Sequence, residues 1–379
     1  MRFTIETKPL KAALASLGKL IPARGVITIV QTVKLVTSDD SLILTGTDLD
    51  TVLELRLPAA ILTEGEACIS FAMANAFVGA AKGGELSVEV EKGQAVLRSG
   101  KSRIVLAALP AEDYPTYRPA EGELVGVDPK TFAAALKFCV AAASDEEMKY
   151  YLCGVAVQEM DGAVHLWGTN GQTMHHAALA SPPNIGGGGT IPSAAVASIV
   201  AMAEKAEDMQ AMISDRGWHV RVGPVRAWGK VIDAPYPDCQ RVHANLGQLE
   251  SFITADKADL SGALNVAICG ADGANKVRSL VVITEAGKPA IMRGARGAQG
   301  VLQAGRAETE ATSSADARMM VSAQYLGLAL STIPADDLAL SFASDGGFVR
   351  IAPSQSSAVM DMSALIAGIR ATEAELADA

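Results

Sequence analysis

The sequence has few aromatic residues and few cysteines. Aromatic side chains make up 4% of its 379 residues, although 49% of the residues are apolar. Hydrophobic cores must therefore be built mainly from aliphatic side chains. The five cysteines are odd in number and widely spaced, and no two form a CxxC pair. This pattern argues against a disulfide framework or a zinc site, and it favours reduced, mostly buried thiols.

Long apolar runs are absent as well. No stretch approaches the roughly 18 uncharged apolar residues that indicate a membrane-spanning helix. The N-terminal sequence MRFTIETKPL carries early charges and lacks the apolar core of a secretory signal. We therefore expect no membrane partner and a cytoplasmic location.

The sequence also lacks the common catalytic motifs. It contains no HExxH, no GxSxG, no phosphate-binding GxxxxGK motif, and no GxGxxG after a strand. His175 and His176 are neighbours on a predicted strand, so their side chains point to opposite faces and cannot share one metal ion. Cys153 lies in a predicted apolar strand near His165, where a thiol is usually inert. We predict no enzyme, metal or cofactor; a hydrolase or transferase that uses Cys153 or His175 is the alternative.

The formal net charge is −10, which by itself disfavours a nucleic-acid partner. However, charges more than about 10 Å apart are largely screened at ordinary salt, so a local basic face can coexist with an acidic exterior. Two predicted helices, at about 9–20 and 129–143, carry lysine opposite their apolar stripes. These lysines are Lys8, Lys11 and Lys19 on the first helix, and Lys130 and Lys137 on the second. The repeated pattern is compatible with a functional basic surface.

One segment is repeated along the chain. Residues 97–115, LRSGKSRIVLAALPAEDYP, share their layout with residues 220–238, VRVGPVRAWGKVIDAPYPD. Arg98 matches Arg221, and Gly100 matches Gly223, both at an offset of 123. A fainter third copy begins at Phe348. The sequence thus predicts three units of about 120 residues.

Each predicted unit has two helices and about eight strands, and the strands follow one another along the chain. This order is typical of an α+β fold with antiparallel sheets, because a parallel sheet needs alternating strands and helices. An Ala-rich amphipathic tail is expected after Met362.

At this point several motifs resemble one known family, that of the bacterial DNA polymerase III beta subunit, the beta sliding clamp. The motifs are MRFTIE at the N-terminus, LTGTDLD (44–50), LRSGKSR with ALPAEDYP (97–115), KYYLCGV (149–155), GTNG (168–171), YPDCQRV (236–242) and AVMDM (358–362). The resemblance implies three clamp domains at 1–120, 121–250 and 251–379, with a C-terminal extension from about residue 364. It also implies that the chain is half of a pseudo-sixfold ring, a homodimer that encircles double-stranded DNA.

The implied function is that of a non-catalytic processivity factor in DNA replication. Its implied partners are duplex DNA, held topologically, and the DNA polymerase III alpha subunit and clamp loader, bound through short peptide motifs. Candidate DNA contacts carried over by the resemblance are Arg24, Lys149, Tyr150 and Tyr151. The implied partner-peptide groove comprises Leu152, Thr169, Gly171, Gln172, Thr173, Met174, Pro237, Arg241, Val242, Val277, Ser322, Tyr325, Val359, Met360 and Met362. Each buried apolar side chain of a peptide contributes roughly 1.5–3 kcal/mol.

The implied dimer interface comprises Arg98, Lys101, Arg103, Ile104, Leu106, Ile268 and Cys269. The family's interface joins bases of the first domain to acids of the third, but residues 294–304 hold one arginine, Arg296, and no acid. Glu308 and Glu310 are possible substitutes. The family's His-Arg pair after GTNG is replaced by Gln172 and Thr173. These departures leave an alternative open, a divergent clamp-like paralogue that binds polymerase peptides without closing a ring.

Overall fold

The computed structural model describes residues 1–24, 27–115, 117–180, 185–246, 249–269, 279–294, 305–342 and 347–370. Within these residues no helix is long and apolar enough to cross a membrane. Of the tail predicted after Met362, residues 371–379 lie outside the described residues.

The described chain consists of short strands interrupted by a few helices. The strands are β1 (Arg2–Glu6), β2 (Thr32–Ser38), β3 (Ser41–Thr47), β4 (Thr51–Pro58), β5 (Ala60–Thr63), β6 (Gly65–Ser70), β7 (Glu85–Glu91), β8 (Gln94–Ser99), β9 (Ser102–Leu109), β10 (Val125–Val127), β11 (Gly154–Met160), β12 (Ala163–Thr169), β13 (Thr173–Leu179), β14 (Gly188–Pro192), β15 (Met209–Ser214), β16 (Gly217–Val222), β17 (Val225–Gly229), β18 (Glu250–Asp256), β19 (Ser279–Thr284), β20 (Pro289–Gly294), β21 (Arg306–Thr312), β22 (Ala317–Ser322), β23 (Asp337–Phe342), β24 (Phe348–Pro353) and β25 (Met360–Ala367). The helices are α1 (Thr7–Leu17), α2 (Phe71–Ala80), α3 (Pro129–Val140), α4 (Ser193–Ala203), α5 (Cys239–Ala244), α6 (Lys257–Ile268) and α7 (Ala323–Thr332), with short 3₁₀ segments at Thr28–Gln31, Ala111–Asp113 and Glu147–Leu152.

One compact unit consists of residues 1–129, 185–189 and 197–231. Its strands form a sheet of 13 strands in the order β10-β15-β16-β17-β4-β3-β2-β6-β9-β8-β7-β1-β5. Helix α1 packs on this sheet because Leu10, Leu14 and Leu17 recur at helical spacing and are all buried. The lysines at positions 8, 11 and 19 lie on the exposed side of the same segment.

The other unit consists of residues 130–184, 190–196 and 232–379, as far as they are described. It contains a sheet of eight strands, in the order β14-β11-β12-β13-β25-β24-β23-β18, and one of four strands, in the order β21-β20-β19-β22. Three of the chain's few aromatic residues, Phe132, Phe138 and Trp167, are almost fully buried in its core. Helix α6 begins at a side-chain cap, because Asp256 Oδ1 accepts hydrogen bonds from the backbone N–H groups of Ala258 and Asp259.

The sequence repeat is also a repeat of hairpins. Strands β8 and β9 pair Arg98 with Arg103 across a turn in which Gly100 has a φ of 57°. Strands β16 and β17 pair Arg221 with Arg226 across a turn in which Gly223 has a φ of 51°. The predicted α+β class with antiparallel sheets is confirmed. The division into three domains stays a prediction, since the compact units are two.

Two predictions of local structure are wrong. The segment before Gly154 was expected to be strand from Leu152, but Glu147–Leu152 is a 3₁₀ helix and Cys153 follows it. The residues after Met362 were expected to begin an Ala-rich amphipathic tail, but β25 continues to Ala367. In both cases short apolar runs fit either period, and pairing with a neighbouring strand decides the outcome.

Candidate functional site

An apolar cavity of about 250 Å³ lies in the second unit, at the end of the β12–β13 hairpin. Its lining combines side chains from this hairpin, from the start of α5 and from strands β24 and β25. The lining residues are Leu152, Thr169, Gly171, Gln172, Thr173, Met174, Pro237, Asp238, Cys239, Val242, Phe348, Leu365 and Ala367. We call this cavity the groove.

The hairpin loop that borders the groove is fixed by its own polar side chains. Thr169 Oγ1 donates to the carbonyl of Thr173 at 2.6 Å and accepts from the backbone N–H of Gly171 at 3.1 Å. Asn170 Oδ1 accepts from the N–H groups of Gln172 and Thr173, at 2.9 and 3.1 Å. Gly171 has a φ of 90°, a conformation that favours glycine. These bonds hold the loop open beside the cavity.

Helix α5 and the segment before it form one wall. Asp238 Oδ1 caps this short helix by accepting from the N–H of Arg241 at 2.9 Å. The phenol of Tyr236 accepts from the N–H of Thr169 at 3.0 Å and lies 3.4 Å from the Trp167 carbonyl, to which it donates. Burial raises the pKa of this phenol, so it stays protonated and able to donate. The wall is thus tied to the hairpin.

The floor comes from β25, which pairs with β13 and places Leu365 opposite Met174. Thr173 Oγ1 donates to the carbonyl of Leu365 at 2.9 Å, and the N–H of Ala367 donates to the carbonyl of Gln172 at 2.9 Å. The thiol of Cys239 is buried beside this floor, and burial raises its pKa to about 12. The site therefore offers apolar surface and main-chain polar groups but no ionised nucleophile, which suits binding of apolar side chains.

More than half of the predicted groove residues line this cavity. They are Leu152, Thr169, Gly171, Gln172, Thr173, Met174, Pro237 and Val242. Arg241 is exposed on α5, next in sequence to Val242. Tyr325 lies at the rim, where its hydroxyl donates to Gln172 Oε1 at 2.6 Å. Ser322 does not line the cavity and caps α7, and Val277 lies outside the described residues.

Three predicted groove residues near the start of β25, Val359, Met360 and Met362, do not line the cavity. Met362 is buried on β25 opposite Ala177, and Val359 is 58% exposed away from the cavity lining. Met360 also does not line the cavity. Leu365 and Ala367 occupy the wall instead, five positions after Met360 and Met362. The assignment of Val359, Met360 and Met362 to the partner groove stays a prediction.

Five lining residues were missed from the sequence: Asp238, Cys239, Phe348, Leu365 and Ala367. The alternation of Leu365 and Ala367 on one face of a strand is the signal that could have identified the last two.

The candidate DNA contacts lie in separate parts of the chain. Arg24 is exposed in the first unit, after α1. In the second unit, Lys149 Nζ lies 3.0 Å from the Glu146 carboxylate, and Tyr150 is 57% exposed. Tyr151 is half-buried and meets the ring of Tyr150 edge to face, with centroids 6.0 Å apart.

The candidate interface residues are mostly at the surface. Arg98, Lys101 and Arg103 are exposed on the β8–β9 hairpin, and Ile104 is half-buried. Ile268 is half-buried and Cys269 exposed at the end of α6. Leu106 differs from them, because it is 3% exposed and faces the core of its own unit, and its place in the interface stays a prediction. Side chains alternate along a strand, so its neighbours on β9 face outwards instead.

The catalytic alternative finds no support in the geometry. Burial, followed by the carboxylates at 145, 146 and 147, raises the pKa of the Cys153 thiol. His175 is fully buried, and its Nδ1–H donates to the carbonyl of Phe138 at 2.7 Å. Burial lowers the pKa of His175 to about 4. Across the described ranges, no three His, Cys, Asp or Glu side chains are grouped to hold a metal ion.

Comparison with known proteins accounts for this arrangement. The family model described as the DNA polymerase III beta subunit, N-terminal domain, matches residues 1–118. The beta sliding clamp of Escherichia coli K12 is 26% identical over 258 residues, which cover 64% of this chain and 68% of that protein. The chain is thus similar in sequence to the bacterial beta sliding clamps. The predicted resemblance to this family is confirmed.

Solved clamp structures share the fold over nearly the whole chain. The DNA polymerase III subunit beta of Pseudomonas aeruginosa superposes with a TM-score of 0.89 at 17% identity, covering 98% of this chain and 100% of that one. The polymerase III beta of Caulobacter crescentus superposes with a TM-score of 0.87 at 23% identity, with coverage of 98% and 100%. The clamp fold is thus retained although most residues differ.

Proposed function

We propose that this chain is a DNA sliding clamp, a non-catalytic processivity factor that closes as a homodimeric ring around duplex DNA in the cytoplasm. The observation that carries the proposal is the clamp fold combined with a built apolar groove. A clamp holds other proteins on DNA by topology, so it needs binding surfaces and not a reactive centre.

The lysines of α1 and α3 supply a weak phosphate-facing surface. Lys8, Lys11 and Lys19 are exposed beside or on α1, and Lys130 and Lys137 are exposed on α3. For proteins on B-DNA, log K falls by about 0.9 per phosphate contact for each tenfold rise in salt. A sparse set of lysines thus permits sliding, whereas a dense set would bind the phosphates tightly. We assign Arg24, Lys149, Tyr150 and Tyr151 to the same DNA-facing role.

We assign the groove to short peptide motifs of the DNA polymerase III alpha subunit and the clamp loader. Val242 is 43% exposed at the groove, so part of its apolar surface is accessible to a bound peptide. Two or three buried apolar side chains, at roughly 1.5–3 kcal/mol each, give micromolar affinity after the entropic costs of binding.

Two unpaired strand edges support closure of the ring. Strand β9 pairs with β8 from Ser102 to Ala107, but with β6 only at Ala108 and Leu109. Strand β21 is the end strand of the four-stranded sheet in the described part of the chain. An exposed strand edge is a template for pairing with another chain. We propose that β9 of one protomer pairs with β21 of its partner.

The internal repeat supports this pairing and suggests its register. Strand β17, the repeat of β9, pairs with β4 and places Arg226 opposite Glu54, with 3.4 Å between their charged groups. By sheet position, β4 corresponds to β21, because the strand order β4-β3-β2-β6 in the first unit matches β21-β20-β19-β22 in the second. Glu54 then corresponds to Arg306, which places it opposite Arg103 of the partner protomer.

In this register Glu308 supplies the acidic group that residues 294–304 lack. Glu308 lies 3.2 Å from Arg306 on the same strand and is exposed. Two positions along the proposed antiparallel ladder, Lys101 of one protomer meets Glu308 of the other. Glu308 therefore sits between basic groups of both protomers and compensates their repulsion. Val105, 44% exposed on β9, adds apolar surface to the same edge.

Loading onto nicked circular DNA, followed by cutting, tests the proposal. A ring stays with the circle during gel filtration and is lost after the circle is linearised. Retention that does not depend on cutting would indicate ordinary binding. A particle of one 39.2 kDa chain at micromolar concentration would favour the alternative, a paralogue that binds peptides without encircling DNA.

A further inference from the structure

The loop that borders the groove has a structural copy in the first unit. There, Thr47 Oγ1 donates to the carbonyl of Thr51 at 2.7 Å and accepts from the N–H of Leu49 at 3.0 Å. Asp48 Oδ1 accepts from the N–H groups of Asp50 and Thr51, at 3.0 and 2.7 Å. These are the bonds that Thr169 and its loop make beside the groove, atom for atom.

The surroundings of the two loops correspond as well. The N–H of Lys230 donates to the carbonyl of Asp50 at 3.1 Å, as Ala367 does to Gln172 in the groove. Trp228 lies opposite Val52 on the neighbouring strand, in the position that Leu365 holds opposite Met174. The phenol of Tyr114 donates to the Thr45 carbonyl at 3.3 Å, in the place of Tyr236. The first unit therefore contains counterparts of three parts of the groove: the hairpin loop, the floor strand and the tyrosine that joins the wall to the hairpin.

The difference is that the first-unit site is occupied by the chain itself. The hydroxyl of Tyr117 donates to the carbonyl of Asp50. The carbonyl of Tyr117 accepts from Trp228 Nε1 at 2.8 Å. Lys230 Nζ lies 5.7 Å from the centre of the Tyr117 ring and 3.1 Å from the Asp50 carboxylate. Tyr117 is thus held by main chain, hydroxyl and ring face together, as the anchor residue of a bound peptide is held.

We propose that the first unit carries a second peptide groove of the same construction, and that Tyr117 occupies it as a built-in ligand. Tyr117 thereby excludes a short apolar peptide of the same class that we assign to the groove of the second unit. The inference rests on the proposed function of that groove. It explains why the first-unit copy of the loop borders a position filled by Tyr117, whereas the second-unit copy borders the open groove.

Substitution of the built-in ligand tests the proposal. The probe is the synthetic peptide Ac-Ala-Ser-Leu-Ala-Phe, and the measurement is its stoichiometry by titration calorimetry on the full chain. We expect one peptide per wild-type chain and two per Tyr117→Ala chain, with affinities within about tenfold of each other. Tyr117→Phe keeps the ring in place and should still bind one.

A second substitution separates the two sites. Val242→Asp places a carboxylate in the open groove, so that variant should bind the peptide at least tenfold more weakly, whereas Val242→Asp with Tyr117→Ala should regain one site of unweakened affinity. No binding to the wild-type chain would contradict the proposed function. One site in the wild type and still one in folded Tyr117→Ala would overturn the second groove alone. If Tyr117→Ala does not fold, a synthetic peptide of residues 113–119 replaces it in the test. Competition of this peptide with the probe for the groove of the wild-type chain would support the proposal that Tyr117 acts as a built-in ligand. Absence of competition would overturn it.

Discussion

Leu49 and Gly171 share one backbone conformation at the same position of two copies of a loop, with φ angles of 87° and 90°. Glycine adopts this conformation without steric cost, whereas a residue with a side chain pays roughly 1–2 kcal/mol. The loop geometry is therefore set by the threonine and Asx hydrogen bonds that both copies share, and not by the residue at the strained position.

Substitution of Gly171 should reveal this cost. A Cβ at Gly171 would meet no neighbour within 4 Å, so Gly171→Ala changes only the backbone preference. We expect the free energy of unfolding to fall by about 1–2 kcal/mol. Gly126→Ala is the matched control, because Gly126 is equally open but does not have a positive φ. Its effect should stay within about 0.5 kcal/mol. Equal losses in urea unfolding would contradict the argument.

Two valines test where the peptide binds. Val242 and Val359 are both substantially exposed, at 43% and 58%, but only Val242 lines the groove. Val242→Asp should weaken peptide binding at least tenfold, which corresponds to about 1.4 kcal/mol. Val359→Asp should leave the affinity unchanged. Fluorescence anisotropy with a labelled peptide measures both, and a loss at Val359 would instead support the wall predicted from the sequence.

Charge exchange tests the proposed register of the dimer. Glu308→Lys brings Lys101 and a new lysine together and should weaken the dimer at least tenfold in sedimentation experiments. The double variant Lys101→Glu with Glu308→Lys restores opposite charges and should recover most of the affinity. Lys92→Glu, on an exposed turn of the β7–β8 hairpin, is the control and should have no effect. Failure of the double variant to recover would show that the two residues do not meet.

The buried histidines predict a loss of stability in acid. Burial lowers the pKa of His175 to about 4 and that of His176 to about 2, while unfolded histidine titrates near 6.5. Below pH 6.5 the unfolded chain binds protons that the folded chain excludes. The free energy of unfolding therefore falls as the pH falls, by about 1.4 kcal/mol per pH unit for each such histidine.

His175→Phe isolates one of these groups. A phenyl ring can keep the stack on Phe138, where the ring centroids are 4.3 Å apart, but it does not titrate. We expect lower stability at pH 7.5, because the bond to the Phe138 carbonyl is lost, and a shallower slope between pH 6.5 and 5. Urea unfolding across this range measures the slope. A slope equal to that of the wild type would mean that His175 is not held neutral.

Much of the fold could be predicted from the sequence because it is local. Helix α7 runs from Ala323 to Thr332, because Ser322 caps it and apolar spacing defines it. The two hairpins were visible because their glycines must adopt positive φ. By contrast, the wall residues Leu365 and Ala367 depend on which strand β25 joins and how far it extends. That pairing is decided by partners almost 200 residues away, as Thr173 and Leu365 illustrate.

Leu106 illustrates a second limit of the sequence. Its segment reads as a continuous apolar strand, so the face that each residue presents is not evident from composition. The register with β8 decides that Leu106 faces inwards and Val105 outwards.

Residence time on end-blocked linear DNA tests the central claim most directly. The protein is threaded onto DNA, both ends are blocked with streptavidin, and the residence time is measured at about 0.1 M and about 0.5 M salt. A closed ring should remain at both salt concentrations and should leave within the dead time once one end is unblocked. A residence time that falls steeply with salt and does not depend on the block would contradict topological binding.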